Sequence, residues 1–417
     1  MSLFSSKGGK PKTEHYIVLD LGTEMIKCLV FEKLEDRGHI LGRSSVPHAA
    51  GSMRGGMVIN IPEASAQIKT AITQAVKQAG ASPQNLIISM PGDLVKSLIT
   101  TVHYHRAQPE SHIDASELKN IVYKVQHKAY EQMREALSHE QDQAERLDVR
   151  LINTTVIDTR VDGYRITNPL GFQGGTVSLS IFNVFAPLVH LGALQSIADH
   201  LELDLISVAA GPYALTRSLA EDDPEFSCIF VDVGAHTTDV IVVHQGGIAG
   251  LQSFSLGGHA FSHNLSKELK TSFDKADRIK IDYAMGWLEK KSEAKVGPIL
   301  KTTAQTWAIG VAEALDEFHH LDVLPNRIFI CGAAGQLPEI KNVLLTKNWA
   351  ASLPFAKKPY PQLIDLPELP GVTVAEGVTL ELTDLTGLGL VYLTLETDLK
   401  DDAVGDMLQR IVLSMQS

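Results

Sequence analysis

The stretch that decides the fold occurs twice. YIVLDLGTEMIKCLVFEK runs from Tyr16, and CIFVDVGAHTTDVIVVHQGG runs from Cys228, 212 residues further along the chain. In each copy an apolar run leads into Asp-x-Gly, passes through short hydroxyl residues and returns as a second apolar run with many β-branched residues. Two such runs separated by a turn signal predict a β-hairpin. The sequence therefore predicts the same hairpin in two places.

Both predicted turns carry the residue types that bind a polyphosphate. Glycine lets backbone N–H groups approach an anion closely, and the hydroxyls of Thr23, Thr237 and Thr238 can donate hydrogen bonds to phosphate oxygens. Asp20 and Asp232 can hold a hydrated Mg²⁺. Either turn alone is more often structural, because Asp-x-Gly is a common turn signal. Two of them facing each other would clamp one polyphosphate.

A third element follows the second hairpin. RIFICGAAGQL, from Arg327 to Leu337, predicts a buried strand that ends in small residues and leads into a helix. Small residues allow the backbone to approach a flat purine or a ribose. In order and spacing, these three elements resemble the actin/Hsp70/sugar-kinase ATPase fold.

The middle of the chain indicates which family within this fold the sequence resembles. VDGYRITNPLGFQGGTVSLSIFNVFAP, from Val161 to Pro187, is similar to the inserted subdomain of FtsA, the actin-like bacterial cell-division protein. GGMVIN from Gly55 and KADRIK from Lys275 are further matches to that family. The resemblance covers about Tyr16 to Leu395. PilM, a type IV pilus assembly protein, is a relative on the same fold.

The resemblance implies an α/β protein with the actin/Hsp70-like two-lobed ATPase fold. Its two lobes are duplicated ribonuclease-H-like sheets, and it carries a small α+β inserted subdomain. ATP and Mg²⁺ are the implied cofactors, with Asp20 and Asp232 holding the metal through water. Asp277 and Lys280 either form an ordinary i,i+3 ion pair or hold a ribose hydroxyl and the purine edge. The predicted nucleotide-binding residues are Asp20, Gly22, Thr23, Lys27, Asp232, Gly234, Thr237, Thr238, Asp277, Lys280, Gly332 and Ala333.

Departures from the family pattern decide how much activity to expect. Ala235 and His236 stand where relatives have Gly-Gly, so the turn loses conformations that only glycine adopts. His236 either faces solvent or donates to a phosphate oxygen. Gly211 stands where many relatives carry a water-orienting glutamate, and Ala333 replaces a glycine. Phosphoryl transfer depends on positioned water and metal. We therefore expect ATP binding with slow or absent hydrolysis.

The domain organisation follows from these assignments. The predicted ranges are a disordered tail (1–13), a first actin-like lobe (14–93, 187–220 and 385–396), an FtsA-type inserted subdomain (94–186), a second lobe (221–384, with a subdomain at 258–325) and a C-terminal amphipathic helix (398–417).

Composition restricts the partners. The net charge of −12 argues against nucleic acid, whose phosphates require a basic face. Nowhere do 18 apolar residues run together, so no membrane span is predicted. Cys28, Cys228 and Cys331 each lie alone in a predicted buried strand, as inert thiols do in a reducing compartment. The expected location is the cytoplasm, peripheral on the cytoplasmic side of the cell membrane.

The C-terminus predicts a contact with membrane or protein. Its apolar residues fall on one helical stripe, but a single arginine and no aromatic residue make it a weak lipid anchor, so docking onto the first lobe or another subunit is the alternative. The stripe consists of Val404, Met407, Leu408, Ile411, Val412 and Met415.

Three functions remain in view. The first is an ATP-binding division protein that links an FtsZ-like tubulin homologue to the membrane, with self-association possible. The second is a PilM-like pilus scaffold, and the third is a small-molecule kinase. The segment from Trp287 to Gly310 is short where division proteins receive the tail peptide of the tubulin-like protein, and we still expect it to bind an acidic-apolar peptide.

Overall fold

The computed structural model describes residues 14–34, 37–49, 51–140, 148–219, 225–366, 371–399, 404–405, 407–408 and 410. The strands are β1 (Glu14–Leu21), β2 (Met25–Lys33), β3 (Gly38–Pro47), β4 (Met53–Arg54), β5 (Met57–Val58), β6 (Asn85–Met90), β7 (Lys96–His105), β8 (Val149–Val161), β9 (Tyr164–Arg165), β10 (Thr176–Pro187), β11 (Asp204–Ala210), β12 (Cys228–Val233), β13 (Thr238–His244), β14 (Gly247–Phe254), β15 (Arg327–Cys331), β16 (Tyr360–Leu363) and β17 (Val372–Val374). The helices are α1 (Ile61–Ala79), α2 (Ala115–Glu140), α3 (Leu188–His200), α4 (Gly211–Leu219), α5 (Gly258–Leu269), α6 (Phe273–Ala284), α7 (Lys290–Asp316), α8 (Pro338–Leu344) and α9 (Leu385–Leu399).

Two of the sheets share one connectivity. The first has the order β11-β6-β1-β2-β3-β17, and the second has the order β14-β13-β12-β15-β16. In both, the first three strands form an antiparallel meander and the next strand pairs in parallel with the first. β1, β2, β3, β6 and β11 thus correspond to β12, β13, β14, β15 and β16. The predicted hairpins and the duplicated two-lobed fold are confirmed.

The first sheet is buried on both faces, which explains its nearly unbroken apolar strands. Along β1, Ile17 and Leu19 pack with α1 and α3, whereas Tyr16 and Val18 pack on the opposite side with α9. Helix α1 follows the N-cap Asn60, whose side chain accepts a hydrogen bond from the backbone N–H of residue 63. It ends at a glycine with left-handed backbone geometry.

The insertion has its own sheet, in the order β7-β10-β8-β9, covered by α2. Seven apolar residues that recur every three or four positions along α2 are all buried: Leu118, Ile121, Val122, Val125, Ala129, Met133 and Leu137. The insertion also contacts the second lobe, because Ser97 donates to the backbone oxygen of Leu251 at 3.3 Å in β14. It therefore lies against both lobes.

The chain returns to the first lobe earlier than predicted. β17 pairs in parallel with β3, and Arg43 of β3 forms ion pairs with Glu381 at 2.7 Å and Asp384 at 2.8 Å. The second-lobe range 221–384 is therefore too long at its C-terminal end. The free edge of β3 and the cation on it attract this segment, and neither is visible as a local pattern. The other predicted domain bounds stay predictions.

The C-terminal residues that the structure describes are docked on the insertion. Val404 and Leu408 are helical and fully buried beside Ile121 and Val125, and Met407 packs partly against the same group. The docking surface is the insertion and not the first lobe, which corrects that alternative. The predicted residues Ile411, Val412 and Met415, and the tail 1–13, lie outside the described residues.

Cys28, Cys228 and Cys331 are free and buried in β2, β12 and β15, as predicted. Burial raises the pKa of the Cys28 and Cys228 thiols. Among the helices of the described ranges, none is both long and apolar enough to cross a membrane.

Candidate functional site

The two predicted turns meet at the cleft between the lobes. Glu24, in the turn between β1 and β2, accepts from His259 at the start of α5, with 3.0 Å between Oε2 and Nε2. The backbone of α5 is joined in turn to the second turn, because Gly258 N–H donates to the Gly234 carbonyl at 2.9 Å. One turn of each lobe therefore borders the same space.

In the first turn, Asp20 is held by two donors. Ser89 Oγ donates to its Oδ1 at 2.7 Å, and Lys27 Nζ donates to its Oδ2 at 2.8 Å. Asp20 and Lys27 are register partners on β1 and β2, so the hairpin itself creates the ion pair. Burial lowers the pKa of Lys27, but the Asp20 carboxylate outweighs it and raises that pKa overall.

In the second turn, the equivalent register pair consists of two acids. Asp232 and Asp239 are register partners on β12 and β13. Burial raises the pKa of Asp232 to about 6, with the Asp20 charge adding to the rise and Lys27 opposing it. Burial raises the pKa of Asp239 to about 8, helped by the charge of Asp232, although Ser253 Oγ donates to its Oδ1. Ionising both acids of this turn is therefore costly.

These acids fit a hydrated divalent cation. A third acid, Asp93, has a buried Oδ1 that lacks a hydrogen-bond partner among the described groups, and burial raises the pKa of its carboxyl. A cation between the lobes would offset the cost of ionising Asp232 and Asp239. Within the described ranges, no three His, Cys, Asp or Glu side chains are grouped so that they could bind a metal ion directly. The predicted water-mediated contact of Asp20 and Asp232 with Mg²⁺ stays a prediction.

Glycines allow the backbone to pack closely beside the second turn. Gly332 follows β15 with φ +80°, and a Cβ there would overlap the Asp232 side chain and the Val233 carbonyl. At Gly257 a Cβ would lie 2.6 Å from the Gly234 carbonyl oxygen. These positions explain why small residues cluster where Gly332 and Ala333 were predicted to meet a nucleoside.

The loss of Gly-Gly in the second turn causes no backbone strain. Neither Ala235 nor His236 has a positive φ, and Gly234 N–H closes the turn on the Thr237 carbonyl at 2.9 Å. The turn therefore folds in a conformation that side-chain-bearing residues adopt. What the substitution adds is an imidazole at the border of the cleft.

The structure corrects one predicted site residue. Thr238 is fully buried, its hydroxyl donates to the Leu256 carbonyl at 2.8 Å, and it accepts from Trp307 Nε1 at 2.9 Å. This hydroxyl anchors β13 to α7 and does not face the cleft. Thr23, Gly22 and Thr237 do lie in the two turns, as the sequence predicted.

Asp277 and Lys280 form the i,i+3 ion pair, with 2.6 Å between Oδ1 and Nζ. Lys280 also donates to Ser262 Oγ at 2.9 Å and to the Gly258 carbonyl at 3.2 Å, so the pair joins α6 to the start of α5. Burial raises the pKa of Asp277, but hydrogen bonds from Lys280 and Ser262 outweigh it and lower that pKa overall. The pair lies next to the second turn, so both readings from the sequence remain open.

Sequence reasoning missed four residues of this cleft: Ser89, Asp239, Glu24 and His259. Two of them could have been recognised from the sequence. Ser89 and Asp239 are polar residues in otherwise apolar strands, and a buried polar side chain requires a partner. Glu24 and His259 are 235 positions apart, and no local pattern links them.

Comparisons with known proteins support this fold and the resemblance to FtsA. The family model "Cell division protein FtsA" matches residues 229–344. The cell division protein FtsA of Streptococcus pneumoniae is 25% identical over 300 residues, covering 72% of this chain and 60% of the relative. FtsA of Agrobacterium fabrum is 22% identical over 410 residues, covering 85% and 89%. The chain spans 60% and 64% of the FtsA proteins of S. pneumoniae and Rhizobium meliloti, which is less than two thirds of each.

A solved structure agrees with the fold. A chain of the PilM-PilN type IV pilus biogenesis complex superposes with a TM-score of 0.65 at 12% identity, covering 91% of this chain and 98% of the other. A likeness at this identity concerns the fold alone. The predicted resemblance to FtsA is confirmed, and so is the two-lobed actin-like ATPase fold.

Proposed function

We propose that this protein is an actin-like cell-division protein that binds ATP with Mg²⁺ between its lobes and links a cytoskeletal division ring to the cytoplasmic face of the membrane. The observation that carries the nucleotide site is the meeting of the two turns, because His259 contacts Glu24 of the first turn and its N–H donates to the Ala235 carbonyl of the second. The family resemblance supports the division role.

The chain's own residues have distinct parts in this site. Backbone N–H groups near Gly22 and Gly234, with the Thr23 and Thr237 hydroxyls, would hold the phosphates. Small residues at Gly332 and Ala333, with Asp277 and Lys280, would border the adenosine. Mg²⁺, when bound, supplies the positive charge that bridges the phosphates to the acids.

Hydrolysis is slow or absent in this proposal. Gly211 begins α4 where relatives carry a glutamate, and a Cβ there would lie 2.9 Å from Thr386 Cγ2 of α9. A longer side chain at this position would displace the packing of α9 on the first lobe. The chain therefore lacks a carboxylate there to orient attacking water.

Calorimetric titration with Mg²⁺–ATP tests the site. We expect Asp232→Ala to lower the binding free energy by about 2 kcal/mol, close to 30-fold in Kd, because it removes an acceptor for metal-bound water. Asp322→Ala, at an exposed acid in the loop before β15, is the control and should bind ATP as wild type does. Equal affinity in the wild type and Asp232→Ala would refute this site.

A pilus-type scaffold is the second candidate, and one observation favours it. The segment after Trp287 forms one helix, α7, with Pro298 inside it. Division relatives carry a longer β-rich part there. The surface that would receive the tail peptide is therefore different, although Trp287 is 73% exposed beside the exposed Met285.

Vesicle co-sedimentation with a labelled tail peptide of an FtsZ-like protein tests the linking role. We expect the full chain to carry the peptide into the pellet, while a chain ending before Val404 binds the peptide but stays in the supernatant. Membrane contact requires Val404 and Leu408 to leave the insertion, so pelleting should be weak for single subunits and rise on assembly. If the peptide fails to bind, the pilus-type scaffold replaces the division role.

A further inference from the structure

A chain of hydrogen bonds crosses the mouth of the cleft from one lobe to the other. His236 Nε2 lies 3.2 Å from His259 Nδ1, and His259 Nε2 lies 3.0 Å from Glu24 Oε2. His236 and His259 belong to the second lobe, and Glu24 belongs to the first. The two imidazoles are therefore held together, with a carboxylate as their acceptor.

The positions of the protons in this series of hydrogen bonds follow from the carboxylate acceptor at one end. A neutral imidazole has one donor nitrogen and one acceptor nitrogen. If His259 Nε2–H donates to Glu24, then His259 Nδ1 accepts from His236 Nε2–H. The pair can take one further proton and keep this contact, but it cannot take two, because both facing nitrogens would then be donors. The histidines thus form a cationic or neutral donor pair aimed at an anion.

The pair has fixed neighbours. His259 N–H donates to the Ala235 carbonyl at 2.8 Å, which fixes the start of α5 to the phosphate turn. The Phe273 ring packs edge-on against His259 and also contacts His263. Asp277 and Lys280 are the other charged groups whose fields reach Glu24. Burial lowers the pKa of His236, and the hydrogen bond from His259 lowers the pKa of Glu24.

We propose that His236 and His259 form a subsite for the terminal phosphate of a nucleoside triphosphate, and that Glu24 fills this subsite when no nucleotide is bound. The proposal rests on the proposed ATP site and adds a source of discrimination to it. The terminal phosphate group accepts hydrogen bonds through anionic oxygens, as the Glu24 carboxylate does, and it carries more charge than the carboxylate. The imidazoles then donate hydrogen bonds to the phosphate in place of the glycine backbone that this turn lacks. Glu24 and the terminal phosphate compete for the same donor, His259 Nε2–H, which His236 orients through its own hydrogen bond to His259.

The ratio of Mg²⁺–ADP Kd to Mg²⁺–ATP Kd, measured by calorimetry, tests the subsite. We expect His259→Ala and His236→Ala each to lower this preference for ATP about tenfold. ADP affinity should change little, because ADP lacks the third phosphate that the subsite would bind. Glu24→Gln removes the competing charge and should raise the preference about threefold. His319→Ala is the control, since His319 is exposed and its Nδ1 contacts the Asp316 carbonyl at 3.0 Å, away from both phosphate turns.

The outcomes separate the two proposals. If the wild type binds ATP and ADP but the histidine variants keep its ratio, the subsite is refuted and the nucleotide site stands. If the wild type binds neither nucleotide, both proposals fail. If a histidine variant does not fold, as judged by circular dichroism, Glu24→Gln decides alone. Glu24 is half exposed in a surface turn, and an unchanged ratio in that variant refutes the competition.

Discussion

The two hairpins place an acid at the same position and give it opposite partners. Asp20 faces Lys27 across the first hairpin, and Asp232 faces Asp239 across the second. The first pair is an ion pair within one lobe, while the second is two buried acids with raised pKa values. The same hairpin therefore contains an ion pair in one lobe and, in the other lobe, two acids whose ionisation an external cation would favour.

This difference between the two hairpins shows how a duplicated fold acquires an asymmetric charge distribution at its site. A buried carboxylate without a cation favours its neutral form, and binding a cation removes that penalty. We expect the second lobe to gain more stability from Mg²⁺–nucleotide than the first lobe does. All three tryptophans, Trp287, Trp307 and Trp349, lie in the second lobe, so their fluorescence follows that lobe selectively.

The largest effect should come from Asp239→Asn, studied without nucleotide or Mg²⁺. Asp239 has a pKa raised from 3.8 to about 8, so between these values the native state keeps a proton that the unfolded chain releases. Raising the pH through this window therefore destabilises the wild type, and the asparagine variant escapes that loss. The variant's advantage in unfolding free energy should grow with pH, to about 3 kcal/mol after relaxation of the site, at no more than about 1.4 kcal/mol per pH unit.

Urea denaturation followed by tryptophan fluorescence at a series of pH values measures this advantage. Asp322→Asn removes an exposed acid of the same lobe and should track the wild type at every pH. An advantage of Asp239→Asn that stays constant from acid to neutral pH would show that Asp239 is not a destabilising charge. The contrast between the hairpins would then be lost.

A smaller effect is expected for Asp20→Ala in the first lobe. The substitution leaves the Lys27 ammonium, whose side chain is only 18% exposed, without the carboxylate that contacts it. The unfolding free energy should fall by about 2 kcal/mol, below the range for fully buried pairs because some solvent reaches the lysine. Far-UV circular dichroism should report the loss more strongly than tryptophan fluorescence does.

A second substitution sharpens this result. Lys27→Met in the Asp20→Ala background removes the unpaired charge and should restore about half of the loss, and the double-mutant cycle isolates the pair energy. If Asp20→Ala alone changes the unfolding free energy by less than about 0.5 kcal/mol, the ion pair contributes little, as exposed pairs do. The first hairpin would then be no better balanced than the second.

Sequence patterns predicted the elements well and their long-range contacts poorly. The two hairpins lie where the repeated pattern predicted them, as β1–β2 and β12–β13. Helical and strand periodicities are local, so they are readable without the fold. Thr238 was misassigned because the same residue type at a turn serves a ligand or a buried hydrogen bond. Only its neighbour Trp307, 69 positions away, distinguishes the two.

The sequence by itself determined the duplication, the hairpins and the acids at their turns, because each depends on residues within a few positions of one another. Tertiary structure alone decided which charges meet. It brought Glu24 to His259, returned residues 372–384 to the first lobe and buried Val404 and Leu408 on the insertion. The physical reason is that burial and electrostatic fields are set by what packs around a group. In this chain those neighbours come from distant segments.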